Sequence, residues 1–157
     1  MQILDAIFSD FDALAEKYGV EKIKTIGDCY MVVGRIPTPR QDHAEAVAKM
    51  ALEMRDAIER FGKAVGEDMS VRIGLHTGAV VAGVIGKKKF SYDLWGDTVN
   101  IASRMESHGE AGKIHVSEAV YLKLKDRFHC ERRGEIEIKG KGLMTTYYIT
   151  GVKKAAS

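Results

Sequence analysis

Residues 90–106 constrain the fold of this chain more than any other stretch, and they run Phe-Ser-Tyr-Asp-Leu-Trp-Gly-Asp-Thr-Val-Asn-Ile-Ala-Ser-Arg-Met-Glu. Apolar and polar side chains alternate before Gly96, and apolar side chains recur at helical spacing after it. The pattern predicts a strand, a glycine turn and a helix that Asp97 or Thr98 can cap. This helix has an apolar stripe that is expected to face the core, and the stripe consists of Val99, Ala102 and Met105.

Three polar side chains in this stretch indicate a functional site. Asn100 and Arg104 are four residues apart, so they project from nearly the same side of the helix. Asp93 lies among apolar and aromatic residues in the strand before the turn, where a carboxylate buried without a partner would be costly. The alternative is that the Asn100 amide and the Arg104 guanidinium, taken alone, simply form a solvated polar face of the helix. The nearby carboxylate favours a functional site over that alternative.

Length and charge limit the possible classes of protein. A chain of 157 residues has room for one domain with a substantial core, but not for two ordinary domains. The formal net charge of +2 is too small to indicate a nucleic-acid partner by itself. The three lysines at residues 87–89 are interpreted as a solvated hairpin tip, with a phosphate or RNA patch as the alternative.

Cysteines, histidines and hydropathy give expectations about the cellular environment. Cys29 and Cys130 are far apart and form no metal-binding pattern, so we expect both to be reduced and to lie in the core or half-buried. The five histidines include no pair at the spacing of zinc ligands. Reduced cysteines suit the cytoplasm, so we predict a cytoplasmic location. No apolar run is long enough to span a bilayer, so this segment is expected to make no membrane contact, although a longer parent protein could be membrane-anchored.

Two hairpins are predicted from alternating residues. The first joins strands at residues 21–26 and 29–33 through a tight turn that exposes Asp28. Taken alone, Asp28 could simply be a good turn former, and Lys24 an ordinary outward strand residue. The second hairpin is predicted from residues 71–85.

The order of all predicted elements indicates an α+β fold. Helices are predicted before the first hairpin, between the two hairpins, after Gly96 and after Ser117, which is expected to cap the last of them. The remaining strands are predicted at residues 113–116, 135–139 and 145–150. We therefore predict a ferredoxin-like layered fold in which helices cover one face of a mostly antiparallel sheet.

Three motifs, taken in order, carry a resemblance to a known family. They are Lys-Thr-Ile-Gly-Asp-Cys-Tyr-Met at residues 24–31, Tyr-Asp-Leu-Trp-Gly-Asp-Thr-Val-Asn-Ile-Ala-Ser-Arg-Met at residues 92–105, and Ile-Lys-Gly-Lys-Gly at residues 138–142. Together they resemble the class III nucleotidyl cyclase catalytic domain, in the variant of the bacterial homodimeric adenylyl cyclases. The resemblance covers nearly the whole chain.

The resemblance implies an activity and an assembly. ATP would be converted to 3′,5′-cyclic AMP and pyrophosphate by in-line attack of the ribose 3′-hydroxyl on the α-phosphorus, assisted by two Mg²⁺ or Mn²⁺ ions. Two chains would form a head-to-tail homodimer with two shared sites. Asp28 would bind metal in one site, and five residues of the same chain would serve the other. These five are Lys24, Asp93, Asn100, Arg104 and Lys139.

The resemblance also implies a role for each of these side chains. Asp93 and Lys24 would read adenine, because its N6 amino group needs an acceptor and its N1 needs a donor. Guanine reverses both groups, so a guanylyl cyclase is the less favoured interpretation. Arg104 would stabilise charge on the phosphate in the transition state and Asn100 would hold the ribose. Lys139 would contact the β- or γ-phosphate.

One departure from the family pattern lowers the expected activity. The first metal-binding aspartate of the family would precede Met1, so residues 1–157 are expected to form a single catalytic domain without its first strand and helix. Hard divalent ions need charge from both carboxylates of the usual pair. We therefore expect this 157-residue chain to be weakly active or inactive.

Two alternatives come from other functional classes. A cyclase-like domain that only binds nucleotide or dimerises would retain the base-reading pair while lacking metal carboxylates. An RNA-binding module would share the ferredoxin-like topology, but this sequence lacks paired exposed aromatic residues on its central strands. Nucleotide cyclisation is the favoured hypothesis.

Overall fold

The structure is a computed structural model of the 157-residue chain. It describes residues 2–26, 29–34, 43–78, 81–85 and 91–153, with the side chains of all but residues 2–4, 26, 81–85 and 91–95.

Helices and strands alternate irregularly along the chain, as expected for an α+β protein. The helices in these ranges are α1 (Gln2–Tyr18), α2 (His43–Val65), α3 (Asp97–Ser107) and α4 (Glu118–Leu124). The strands are β1 (Glu21–Ile26), β2 (Cys29–Val33), β3 (Ile73–Leu75), β4 (Val81–Ile85), β5 (Ser91–Trp95), β6 (Ile114–Ser117), β7 (Phe128–Ile138) and β8 (Gly142–Val152).

Strand pairing confirms the α+β, mostly antiparallel prediction. A four-stranded sheet has the order β3-β6-β8-β7, in which only the β3–β6 pair is parallel. Within the described residues, β1 pairs with β2 and β4 pairs with β5, both antiparallel. Strand β1 also lies beside β5. The first predicted hairpin is confirmed, with Ile26 opposite Cys29 at its end.

The second predicted hairpin is wrong. Strand β3 pairs with β6, so that Ile73 lies opposite Ile114 and Leu75 lies opposite Val116, and β4 pairs with β5 instead. Burial explains this choice, because the side chains of β3 and β6 share one apolar core. The lysines at residues 87–89 lie between β4 and β5, outside the described residues.

The main core lies between the four-stranded sheet and helices α2 and α4. Its buried residues are Ala48, Ala51, Leu52, Leu75, Ile114, Val116, Val120, Leu124, Phe128 and Ile149. A second cluster joins α1 to α2 through Phe11, Met50 and Met54, with Tyr30 of β2 packed against it. The hairpin β1–β2 is thereby attached to α1.

Helix α3 covers the opposite face of the sheet, so the prediction of helices on one face only is wrong. Neighbouring residues of a strand point to opposite faces. Leu75 belongs to the core shared with α2 and α4, whereas Gly74 lies under α3. A Cβ atom at Gly74 would be 2.0 Å from the backbone nitrogen of Glu106. Glycine is therefore required for α3 to approach the sheet this closely.

The cysteine predictions are partly confirmed. Neither Cys29 nor Cys130 forms a disulfide, and Cys130 is half-buried, where burial raises its pKa. Cys29 is exposed, which corrects the expectation of a core or half-buried residue. Among the described helices, none combines the length and hydropathy needed to cross a membrane.

Candidate active site

The turn before α3 is made by Gly96. This residue occupies the N-cap position with φ 110°, a backbone conformation that favours glycine, and its carbonyl accepts a hydrogen bond from the Asn100 amide at 3.1 Å. No side chain caps the helix, so the prediction that Asp97 or Thr98 would do so is wrong. Asp97 is instead the first residue of the helix.

Helix α3 is amphipathic, and its exposed face carries the predicted polar pair. Ile101 and Met105 are buried and pack against Ile138 of β7. The predicted stripe is therefore shifted, since Val99 and Ala102 are only half-buried.

Asn100 and Arg104 are both exposed, one turn apart on this face. No acidic side chain among the described residues forms an ion pair with Arg104. Its guanidinium is thus available to an anionic ligand.

The two predicted base-reading residues lie on neighbouring strands. Lys24 is in β1, opposite Met31, and its side chain is half-buried. Asp93 is in β5, opposite Gly83 of β4. The side chain of Asp93 falls outside the described part. Because β1 lies beside β5, the two positions belong to the same region of the molecule.

The β7–β8 turn brings a third group of residues to the start of α3. Lys139 directly follows β7 and is exposed. Two residues later, Lys141 Nζ lies 2.6 Å from Asp97 Oδ2. The backbone N–H of Lys141 also donates to the carbonyl of Ile138 at 2.8 Å. Lys139 is therefore held in a short turn beside the first residue of the helix that carries Arg104.

The end of β3 meets the same corner of the fold. His76 Nδ1 lies 2.6 Å from Ser117 Oγ. Burial lowers the pKa of His76, and the negative charge of Asp97 opposes that shift. Ser117 occupies the N-cap position of α4, but its hydroxyl bonds to His76 and makes no capping bond, which corrects the predicted cap. No local pattern in the sequence indicates this pair or the Asp97–Lys141 pair, because each joins residues that are about 40 positions apart.

The other end of α3 is held by a buried histidine. His115 is fully buried, and its Nδ1 lies 2.8 Å from the carbonyl of Met105. A carbonyl only accepts, so Nδ1 carries the proton and Nε2 accepts from Arg133 Nη1 at 3.2 Å. Arg133 also donates to the carbonyl of His108. Strands β6 and β7 thus bind the last carbonyls of α3.

This arrangement predicts a pH dependence of stability. Burial is the main cause that lowers the pKa of His115; the positive charges of Arg133 and His108 add to the shift, whereas the Met105 hydrogen bond and Glu110 oppose it. The neutral form is thus favoured in the fold. Its contribution is fully present above the unfolded pKa of about 6.5 and is lost as the pH falls through and below that value.

Urea unfolding at several pH values checks the expectation. His115→Asn retains a donor for Met105 but cannot titrate, so the variant is expected to lose less free energy of unfolding than the wild type between about pH 7 and 5. Since the pKa of His76 is also lowered, some acid sensitivity should remain. If the free energy of unfolding fell equally with pH in the wild type and in the variant, the acid sensitivity could not be assigned to His115.

The predicted metal ligand is not among the residues whose structure is described. Asp28 lies in the turn between β1 and β2, at residues 27–28. In the part of the chain that is described, no group of three or more histidine, cysteine, aspartate or glutamate side chains could hold a metal ion.

Comparison with known proteins gives consistent family assignments. The chain matches the model of the adenylate and guanylate cyclase catalytic domain over residues 1–151. It is 49% identical over 156 residues to an adenylate cyclase of Mycobacterium bovis, covering 99% of this chain and 35% of that protein. It is 50% identical over 151 residues to the guanylate cyclase soluble subunit beta-2 of Rattus norvegicus, covering 95% of this chain and 22% of that protein. The chain thus spans well under two thirds of either relative.

A solved structure shares the fold. The crystal structure of the guanylate cyclase domain of RhGC from Catenaria anguillulae, in complex with GTP, superposes with a TM-score of 0.88 and 43% sequence identity. The similarity covers 96% of this chain and 82% of that chain. The adenylate cyclase and the guanylate cyclase subunit named above are almost equally similar to this sequence, so identity alone does not select the base. Sequence and structure together make this chain a member of the class III adenylate and guanylate cyclase catalytic domain family.

Proposed function

We propose that this domain is an adenylyl cyclase, which converts ATP to 3′,5′-cyclic AMP and pyrophosphate. The observation that carries the choice of adenine is the presence of Lys24 and Asp93 on the neighbouring strands β1 and β5. A carboxylate accepts a hydrogen bond from the N6 amino group of adenine, and an ammonium group donates to N1. With guanine, the carboxylate would face a carbonyl and the ammonium an N–H, which leaves polar groups mispaired.

The exposed face of α3 supplies the groups for the reacting phosphate and the ribose. Arg104 is permanently charged and has no ion-pair partner among the described residues, so it can bind phosphate oxygens as negative charge develops in the transition state. Asn100 lies one turn earlier and orients the ribose, so that its 3′-hydroxyl faces the α-phosphorus. The 3′-oxygen bonds to the α-phosphorus as the bond to the pyrophosphate oxygen breaks.

Lys139 contributes a point charge to the β- or γ-phosphate. Its position at the end of β7, in a turn that touches the start of α3, supports this role. Asp28 is proposed as one ligand of the divalent ions, Mg²⁺ or Mn²⁺, which would supply positive charge to offset the negative charge of the reacting phosphate groups.

The function is tested by measuring cyclic nucleotide formation from ATP and GTP with Mg²⁺ or Mn²⁺. We expect kcat/KM for ATP to exceed that for GTP by at least about 100-fold, because mispaired polar groups discriminate strongly. A preference for GTP would identify a guanylyl cyclase instead. Tight binding of an ATP analogue in calorimetry, without any turnover even after fusion of a strand that carries the family's first metal-binding aspartate, would indicate a nucleotide-binding module and overturn the proposed enzyme.

The shared sites of a head-to-tail homodimer can be tested by mixing two inactive variants. In such a dimer, Asp28 of one protomer and Arg104 of its partner serve the same site. A mixed dimer of Asp28→Ala and Arg104→Ala would hold both defects in one site and leave the other intact. Random pairing should then restore about a quarter of wild-type activity. No recovery in mixtures that sedimentation shows to be dimeric would exclude shared sites.

A further inference from the structure

A solvent-exposed ion pair links the β7–β8 turn to the first residue of α3. Lys141 Nζ lies 2.6 Å from Asp97 Oδ2, and the two side chains are 40% and 61% exposed. Asp97 is favourably placed, because a carboxylate in the first turn of a helix interacts well with the helix dipole. An exposed pair of this kind adds little to stability. The pair therefore matters more for where the β7–β8 turn lies relative to α3 than for the stability of the fold.

The turn itself is poorly determined by packing. Ile138 is buried beneath α3, but every residue from 139 to 143 is exposed. Gly140 and Gly142 have positive φ values of 82° and 79°, so the backbone at the tip uses conformations available mainly to glycine. Apart from the strand pairing at its base, the hydrogen bond from the Lys141 amide and the ion pair to Asp97 hold the tip against the described residues.

The pair sits between the residues that the proposed function assigns to phosphate. Lys139 is two residues before Lys141 in the same turn. Asn100 and Arg104 follow Asp97 at about one and two turns along α3. A contact that fixes Lys141 against Asp97 therefore limits the movement of Lys139 relative to both side chains.

We propose that Asp97 and Lys141 are a positioning pair, which holds Lys139 in register with Asn100 and Arg104 for binding of the triphosphate. This inference rests on the proposed function. Lys141 affects substrate binding only indirectly, by holding the turn that carries Lys139. Its own ammonium group is paired with Asp97 and is not directed to phosphate. Neither residue is a catalytic group.

A double-mutant cycle in the full chain tests the pair. Asp97→Asn and Lys141→Met should each raise the KM for ATP by about five- to tenfold and lower kcat less, because the phosphate contact is already made in the ground state. The double variant should be no worse than either single variant, since both changes remove the same contact. Lys141→Arg retains the charge and should stay within about twofold of wild type. The melting temperature should change little in all four variants.

Hydrogen exchange separates this inference from the proposed function. In Asp97→Asn the backbone amides of residues 139–142 should exchange faster than in the wild type, with or without cyclase activity. Unchanged exchange would overturn the positioning pair. A rise in KM for Lys141→Met without a rise for Asp97→Asn would also overturn it, because Lys141 would then contact the triphosphate directly. Additive effects of the two changes in the double variant would overturn it as well. A wild-type chain that does not bind an ATP analogue would instead count against the proposed function.

Discussion

Replacing Arg104 with alanine is expected to lower kcat for cyclic AMP formation by about 100- to 1000-fold, as for the loss of one preorganised donor to a transition-state charge. The KM for ATP should change far less, because the contact strengthens only as charge develops on the phosphate. Arg104→Lys should lose less, since it retains the charge without the planar fork of donors. Initial rates over a range of ATP concentrations measure both parameters.

Two controls make this prediction specific. Arg104 is exposed and forms no ion pair within the described ranges, so its removal should leave the free energy of unfolding within about 0.5 kcal/mol of wild type. Ser103→Ala changes the neighbouring exposed residue of α3 and should leave kcat unaltered. A large rise in KM at constant kcat would show that Arg104 binds ground state and transition state equally, against the role proposed for it.

The second large effect is expected for the base-reading pair. The double variant Lys24→Glu with Asp93→Cys should lose most ATP turnover, and its ratio of kcat/KM for ATP over GTP should fall by at least about 100-fold. Glutamate can accept from the N1 hydrogen of guanine, and removal of the Asp93 carboxylate ends its repulsion of the guanine carbonyl. Parallel assays with both nucleotides give the ratio.

The single variants and a charge control complete the test. Lys24→Glu and Asp93→Cys alone should each weaken ATP turnover, and their effects should not add, because the two residues contact one ring. Lys49→Glu makes the same change of charge at an exposed position of α2 and should leave the ratio unaltered. An unchanged preference for ATP in the double variant would reject the assignment of Lys24 and Asp93.

Local patterns were sufficient for the elements that depend on neighbouring residues. Gly19, with φ 66°, ends α1 after Tyr18 as its position in the sequence predicts. The alternation of residues 21–33 correctly predicts the hairpin β1–β2, and Gly96 correctly marks the turn between β5 and α3. These features follow from backbone preferences and side-chain periodicity, which need no distant contact.

Elements that depend on distant partners were predicted less well. Strand β7 begins at Phe128, seven residues before the predicted start at residue 135, because its exposed charged residues at 131–133 obscure the apolar alternation. Its pairing with β8 along the whole length makes it a strand regardless. The pairing of β3 with β6 likewise depends on a shared core between segments about 40 residues apart.

The sequence by itself determined the α+β class, the amphipathic helix with Asn100 and Arg104 on its exposed side, and the family resemblance, because these depend on residue type and local spacing. Only the tertiary structure decided that α3 lies on Gly74, opposite α2 and α4, and that Lys141 meets Asp97. Such contacts join residues about 30 to 45 positions apart, and no periodicity in a single chain specifies which distant surfaces will be buried together.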